Sequence, residues 1–230
     1  TVVSPFEAVA GSTPDESYDA VMTNVPFGDA SLREHANKDA KLRDASLEAY
    51  FILRSLDKLK PGGLAAFITP PRVVSGMDAK MEDLRYQVSM RAEFLGGYRL
   101  PNKVFQDASD ADTIVDVIVF RKHSKEAREK IGELAEQSID SLRSMNVLWD
   151  EFISGRYFRG EGKRFQLGEF QAKDPNKLRD VDRVVSDQKD TAAIAKLMRK
   201  FGGSRIDWTG IEAAESAPIV YRDGDVVYQD

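Results

Sequence analysis

The sequence contains no cysteine, little histidine and no long apolar run. Its 230 residues include 0 Cys and 2 His. The lack of cysteine excludes a disulfide framework and any metal site built on thiolates. No stretch of about 18 apolar residues is present, which argues against a transmembrane helix, and no signal peptide is visible at the start. We therefore expect a cytoplasmic protein that has no membrane partner.

The overall charge is acidic, which bears on the partners to expect. The net charge is −5, with 42% hydrophobic and 31% charged residues, as in ordinary globular proteins. Proteins that coat nucleic acids need clustered Lys and Arg, so this balance argues against that class. A local basic groove remains compatible with it. The length fits one large domain or two small ones.

The stretch 18–27 reads Tyr-Asp-Ala-Val-Met-Thr-Asn-Val-Pro-Phe and organises the rest of the chain. A short strand is predicted at 20–23; it stops at Asn24, and the chain turns at Pro26. In an open α/β sheet, ligands bind beyond the carboxyl ends of the strands. We therefore predict that this strand end is the active site.

The residues at this strand end suit a flat ligand that carries an amino group. Asn24 offers a side-chain carbonyl, and the backbone carbonyl of Val25 is left free because Pro26 has no N–H. Two acceptors that converge on one exocyclic amine would favour its nucleophilic geometry, and Phe27 could stack on the ring. The alternative is structural: Asn24 forms an Asx turn and Phe27 belongs to the core.

Asn24-Val25-Pro26-Phe27 resembles the Asn-Pro-Pro-Tyr/Phe signature of the N6-adenine DNA methyltransferases, which follows their fourth strand. The stretches 59–70 and 99–105 resemble later parts of the methylase domains in large phage and mobile-element proteins that join a methylase to a helicase. Val25 departs from the signature, which has proline there. Before Asn24 nothing resembles the Gly-rich loop that holds S-adenosylmethionine in the family, because Gly11 stands alone.

The resemblance implies an α/β fold and a division of the chain into two parts. Residues 1–122 would form the second half of a Rossmann-like class I methyltransferase sheet, strands four to seven, with the last pair antiparallel. Residues 123–230 would form a helical and β extension that serves target recognition or links to a further domain. The parent protein would supply the missing N-terminal half or a helicase domain as partner.

The implied reaction is methyl transfer from S-adenosylmethionine to the N6 amine of a flipped adenine in DNA. The resemblance assigns site residues as follows: Asn24, Val25, Pro26 and Phe27 to catalysis, Phe6 to the cofactor, and Arg99, Lys38 and Lys41 to DNA. No metal is implied, because the spacing of Asp107, Asp110 and Asp112 does not follow a calcium loop. Asp116, inside an apolar strand, is expected to have a structural hydrogen-bond partner.

Two other functions remain open. Without the cofactor-binding strands, the isolated chain is expected to be inactive, and it could be a truncated module that binds nucleic acid or a protein partner. Related Asn-Pro-Pro-Tyr signatures also serve the methylation of RNA bases and of protein glutamine. The stretch from Arg99 onward resembles DNA-modifying members and favours DNA.

The remaining sequence patterns predict the order of secondary structure. Predicted elements are a strand-like start in 1–9, a polar loop in 29–44, a helix capped by Ser46 and stopped at 61–63, a strand at 64–69, a helix at 77–90, strands at 92–100 and 113–121, a helix at 124–147, a last helix ending near 201 and a hairpin around Asp223-Gly224. The stretch 156–165 mixes basic and aromatic residues. It predicts either contacts with single-stranded or flipped bases or a packed β-extension.

Overall fold

The computed structural model describes residues 4–26, 42, 45–102, 104, 114–172, 176, 183–186, 192, 194–196, 199, 220–222 and 225–227. Its α-helices are α1 (Phe6–Ser12), α2 (Leu47–Lys58), α3 (Arg72–Ser75), α4 (Ala79–Arg91), α5 (Lys125–Gln137), α6 (Ile139–Arg143) and α7 (Val147–Ile153). Its strands are β1 (Tyr18–Asn24), β2 (Leu59–Thr69), β3 (Ala92–Leu100), β4 (Val115–Lys122), β5 (Glu169–Gln171), β6 (Arg183–Val185), β7 (Val220–Arg222) and β8 (Asp225–Val227). Helices and strands alternate along the first half of the chain.

The first four strands form one mixed sheet in the order β1-β2-β4-β3. β1 and β2 are parallel, with Asn24 opposite Ile68. β4 is antiparallel to both β2 and β3. This topology confirms the predicted α/β class, the parallel first pair and the antiparallel final pair. Because β1 and β2 are parallel, their carboxyl ends meet at the same edge of the sheet.

Two helices begin at side-chain caps: α2, which lies between β1 and β2, and α4, which lies between β2 and β3. The Oγ of Ser46 accepts a hydrogen bond from the Ala49 N–H at 3.4 Å, which confirms the predicted cap of α2. Asp78 caps α4 in the same way, through the Met81 N–H at 3.1 Å. Each cap satisfies one of the backbone donors that a helix start leaves unpaired.

β2 is longer than predicted, because it begins at Leu59 rather than at residue 64. Pro61, Gly62 and Gly63 do not separate helix from strand; they form an irregular section at which the pairing with β1 shifts register. Gly62 has a φ of +77°, a conformation that glycine adopts without strain. At Gly63 a Cβ would lie 2.9 Å from the Asp19 carbonyl oxygen, so close approach of the two strands requires glycine there.

Aromatic side chains form the centre of the main core, between the sheet and helices α2, α4 and α7. Phe94 of β3 stacks on Phe152 of α7 with ring centroids 4.4 Å apart. It also meets Tyr157 edge-on at 4.8 Å and lies 5.4 Å from Phe120. The Tyr157 hydroxyl accepts a hydrogen bond from the Gly97 N–H at 3.1 Å. Residues 152–158, beyond position 122, therefore share this core, and the predicted domain boundary at 122 stays a prediction.

The basic and aromatic stretch 156–165 belongs to this core and is not a β-extension. It forms two 3₁₀ helices, Tyr157–Arg159 and Glu161–Phe165. Tyr157 and Phe158 are buried, so these two rings are not available to stack on nucleic-acid bases. The alternation of charge and aromatic residues reflects a segment with one buried and one exposed side.

The long helix predicted at 124–147 is instead broken into α5 and α6, and α7 follows them. Ser138 and Asn146 each accept a hydrogen bond from a backbone N–H of the next helix and so cap α6 and α7. The breaks fold the apolar residues of the three helices onto one another. They form a second core cluster of Ile131, Leu142, Trp149 and Ile153.

The ends of the chain differ in how well the sequence predicts them. The strand-like start predicted in 1–9 falls partly on residues outside the described ones, and from Phe6 the chain forms α1 with Pro5 as its N-cap. The hairpin predicted around Asp223-Gly224 is confirmed, because β7 and β8 pair antiparallel. Within the described residues, no helix is both long enough and apolar enough to cross a membrane.

Candidate active site at the end of β1

Asn24 is the last residue of β1, and its side chain is exposed at the carboxyl edge of the sheet. Val25 is fully buried, and its N–H donates to the Ile68 carbonyl at 2.9 Å, so the backbone directly after Asn24 is tied to β2. Pro26 is half-buried. Phe27, predicted to stack on the substrate ring, lies outside the described residues. A fixed backbone thus carries an accessible amide.

Asn24 lies on the face of the sheet that is exposed along β1. Ala20, Met22 and Asn24 alternate along the strand and are exposed, and Met22 is 83% exposed. The same face is covered at the other side of the sheet, where Tyr98 of β3 packs against Phe165 with ring centroids 5.4 Å apart. Within the described part of the chain, β1 pairs with β2 alone. Asn24 therefore faces a surface with room for another molecule or segment.

The segment that follows β2 forms the neighbouring wall of this edge. It turns through Pro70 and Pro71 into the short helix α3, and a buried arginine of α4 holds it in place. Arg85 donates from Nη1 to the Val73 carbonyl at 3.2 Å and from Nη2 to the Gly76 carbonyl at 2.7 Å. Burial lowers the pKa of Arg85 to about 10, so it remains charged at neutral pH.

A buried ion pair ties the same segment to the sheet. The Arg99 guanidinium of β3 donates to both Asp116 oxygens of β4, from Nε at 2.8 Å and from Nη2 at 2.7 Å. Its Nη2 also donates to the Ser75 hydroxyl at 2.8 Å. Burial raises the pKa of the Asp116 carboxyl, and the bonds from Arg99 oppose that effect. The structural partner predicted for Asp116 is confirmed.

These contacts also change the interpretation of Arg99. Its side chain is 6% exposed, and its guanidinium lies 4.2 Å from the centre of the Phe158 ring. An arginine engaged in this way has a structural role in the described fold, and its burial argues against contact with a DNA phosphate. Lys38 and Lys41, the other predicted DNA contacts, lie outside the described residues.

Phe6, the predicted cofactor contact, packs against α2. Its ring stacks on Phe51 with centroids 4.5 Å apart and meets Tyr50 edge-on at 5.9 Å. A role in cofactor binding stays a prediction. Gly11 lies inside α1 and therefore does not form a loop that could cradle a cofactor.

Two residues at this edge have no predicted role, Glu48 of α2 and Arg72 of α3. They form an ion pair in which the Glu48 side chain is fully buried and the Arg72 side chain is 50% exposed. No spacing in the sequence singles out Glu48. For Arg72 a signal exists, because it comes three residues after a predicted strand end, where ligand-binding residues concentrate.

His123, between β4 and α5, is a partly buried imidazole away from the strand edge. Its Nε2 lies 3.0 Å from the Ser89 carbonyl, and its ring lies 5.5 Å from the Trp149 ring. Burial lowers the pKa of His123 to about 4, from an ordinary value of 6.5. Lys122 and Arg128 add to this shift, while the bond to Ser89 opposes it. The folded protein therefore holds His123 neutral.

His123→Gln is expected to flatten the dependence of stability on pH between about 4 and 6.5. As pH falls through this range, the unfolded chain takes up a proton at residue 123 and the folded chain does not, so stability falls. The loss in the wild type is roughly 1 to 3 kcal/mol by pH 4. Urea unfolding of both proteins across this range measures it. Parallel curves for the two proteins would refute the assigned pKa shift.

A family model described as N-6 DNA Methylase matches residues 6–147, more than half of the chain. The chain belongs to the N-6 DNA methylase family. The match includes the strand end that carries Asn24, Val25 and Pro26. It also runs through β4 and α5 to the start of α7. The family assigned from the sequence is thereby confirmed.

A curated relative of this chain is a phage protein. The chain is 42% identical over 221 residues to "Defense against restriction protein B" of Escherichia phage P1. That alignment covers 94% of this chain and 9% of the phage protein. The chain thus spans about a tenth of the length of the curated relative it matches.

Solved structures of similar fold have low identity to the chain. The M protein of the type I restriction enzyme EcoKI is 24% identical, with 50% of this chain and 22% of that one covered and a TM-score of 0.39. A modification subunit assigned to a type I restriction enzyme of Vibrio vulnificus is 20% identical, with 49% and 25% covered and a TM-score of 0.41.

Proposed function

We propose that this chain forms the part of a DNA adenine-N6 methyltransferase that receives the target adenine. The observation that carries the proposal is the exposed amide of Asn24 at the end of β1, directly before a buried residue whose N–H is bonded to Ile68. The residues that resemble the family signature thus combine an exposed amide with a backbone tied to β2, which suits a binding site. The family's description as DNA methylases favours DNA over RNA or protein glutamine.

Asn24 and Val25 would promote methyl transfer by orienting the adenine amine and by electrostatic stabilisation. The Asn24 carbonyl and the Val25 backbone carbonyl accept the two hydrogens of the adenine amine and direct its lone pair outward. Because Val25 is fully buried in this structure, its carbonyl must become accessible when the adenine binds. Such acceptors, fixed before the reaction, stabilise the positive charge that develops on nitrogen as it attacks. Phe27 stacks on the flipped adenine, which must leave the duplex to reach the strand end.

The described residues do not form a cradle for S-adenosylmethionine. Gly11 is helical, and Phe6 is stacked against α2. The open face beside Asn24 and the unpaired edge of β1 in the described sheet suit a further α/β segment that packs there. We propose that this segment, from a larger polypeptide or a partner chain, holds S-adenosylmethionine, and that the isolated chain is inactive.

The larger context follows from the relatives. The phage protein that shares 42% identity is much longer than this chain and is named for defence against restriction. We propose that the chain works inside such a mobile-element protein, in the cytoplasm, and that its partners are DNA and the cofactor-binding segment. Residues 123–230 would then connect the catalytic part to a helicase or target-recognition domain.

Calorimetric titration of the chain with S-adenosylmethionine tests whether a further segment is needed to bind the cofactor. We expect no binding to a sample shown by circular dichroism to be folded, with or without an adenine-containing oligonucleotide. Addition of the segment that precedes the homologous region in the phage relative should restore binding. Binding by the chain alone would show that it holds the cofactor itself and would overturn the proposal that a further segment supplies the cofactor site.

A further inference from the structure

We propose that Arg72 binds a phosphate of the DNA strand that carries the target adenine, and that Glu48 positions it. This inference rests on the proposed function, since it needs DNA at the edge that carries Asn24. It adds a binding residue from the segment after β2, outside the signature at 24–27. The ligand is the phosphodiester backbone, independent of base sequence.

The topology places Arg72 on the correct edge. Asn24 ends β1 opposite Ile68 of β2, and β2 ends one residue later at Thr69. Arg72 follows after Pro70 and Pro71 as the first residue of α3. Both residues therefore lie just beyond the carboxyl ends of adjacent parallel strands. A nucleotide held at Asn24 must bring its flanking phosphates to this edge.

The ion pair with Glu48 is not explained by stability. Withdrawing a carboxylate from water is costly, and an ion pair with a partner that stays half exposed offsets little of that cost. The Glu48 side chain is 0% exposed, and neither of its oxygens has a hydrogen bond of good geometry in the described structure. A costly arrangement of this kind is understandable when it fixes the position of Arg72 for binding.

The backbone under Arg72 is also fixed. The α3 segment is held by Arg85, which donates to two of its carbonyls, and by Arg99, which donates to Ser75. The Gly76 N–H donates to the Arg72 carbonyl at 2.7 Å. Two separate elements, α4 and β3, thus anchor the segment 72–76. An arginine on such a base loses little freedom when it binds a phosphate.

The Arg72 guanidinium has N–H donors that Glu48 does not use and that can bind a second anion. It carries five N–H groups in a planar fork, and Glu48 contacts Nη2. Among the described residues, no other acceptor lies against Arg72. The remaining donors match the oxygens of a phosphate, for which arginine is better suited than lysine because it can bind two oxygens at once.

The test compares Glu48→Gln with the double variant Glu48→Gln/Arg72→Gln. Arg72→Gln alone would leave a buried carboxylate without a cation and could unfold the chain, so both variants lack that carboxylate. Fluorescence anisotropy measures binding to a labelled duplex with adenines opposite abasic sites, which lowers the cost of flipping. Salt titrations give the slope of log K against log salt. Circular dichroism melting verifies the fold of each protein.

Relative to Glu48→Gln, the double variant is expected to bind roughly tenfold more weakly at low salt. Its salt slope should be smaller by about one, the effect of one lost phosphate contact. The matched control is Arg164→Gln, which removes a 62% exposed arginine with a 4.0 Å ion pair to Glu161 and its guanidinium 4.8 Å from the centre of the Phe165 ring. We expect it to leave affinity and slope unchanged.

Equal slopes for the two Glu48 variants, with DNA binding by the wild type intact, would overturn the role of Arg72 and leave the proposed function standing. Absence of DNA binding by the folded wild-type chain would overturn both. A slope change of the same size for Arg164→Gln would show nonspecific attraction and would also overturn the assignment to Arg72.

Discussion

Asn24→Ala is expected to lower the rate of adenine methylation about 100-fold to 1,000-fold in the larger methyltransferase proposed above. The change removes one of the two acceptors that orient the amine and stabilise its developing charge, and loss of a single such group typically has this size of effect. Stability should change little, because the side chain is exposed. Transfer of a radiolabelled methyl group to DNA measures the rate.

Met22→Ala is the matched control for this prediction. Met22 lies two residues earlier on the same face of β1 and is 83% exposed. We expect its loss to leave the chemical step unchanged, although it could weaken the packing of a further segment against this face. Full activity of the Asn24 variant would show that the orientation mechanism is wrong.

Asp116→Asn is expected to destabilise the fold by about 3 to 5 kcal/mol, because it leaves the buried Arg99 charge without its carboxylate. Such a loss is a large part of the total stability of a typical domain. The carboxylate of Asp116 is 0% exposed and accepts both short bonds from Arg99. Urea unfolding followed by circular dichroism measures the change.

A double variant separates the charge effect from simple loss of contacts. Asp116→Leu/Arg99→Met removes both charges, so no ion remains buried alone, and it should cost less than Asp116→Asn. A cost below about 1 kcal/mol for Asp116→Asn would contradict the account of this pair. The double variant also releases Ser75, so DNA binding at the α3 segment should weaken even where the fold survives.

The sequence predicts those features that depend on neighbours along the chain. The strand that ends at Asn24, the cap at Ser46 and the hairpin around Asp223-Gly224 each rest on a few adjacent residues with strong local preferences. The candidate site is local in the same sense, since Asn24 and Pro26 are two residues apart at one strand end, and its role stays a prediction. The structure adds exposure to this pattern, which residue order alone does not supply.

The features that the sequence does not predict depend on contacts between distant residues. Arg99 resembles a DNA contact until β3 and β4 pair and bring it against Asp116. The stretch 156–165 looks like a binding surface, but its rings fill the core beside Phe94. Glu48 looks like an ordinary acid in a first helical turn, but its side chain is buried and forms an ion pair with Arg72 of α3. In each case the sequence does not show the tertiary partner that determines the exposure of the side chain.

The central claim is that the end of β1 receives the adenine amine. The most direct measurement is a structure of the larger methyltransferase bound to DNA and to an unreactive analogue of S-adenosylmethionine. We expect a flipped adenine whose N6 lies about 3 Å from the Asn24 side-chain oxygen and from the Val25 carbonyl. A flipped adenine held elsewhere, with Asn24 facing solvent or another protein segment, would contradict it.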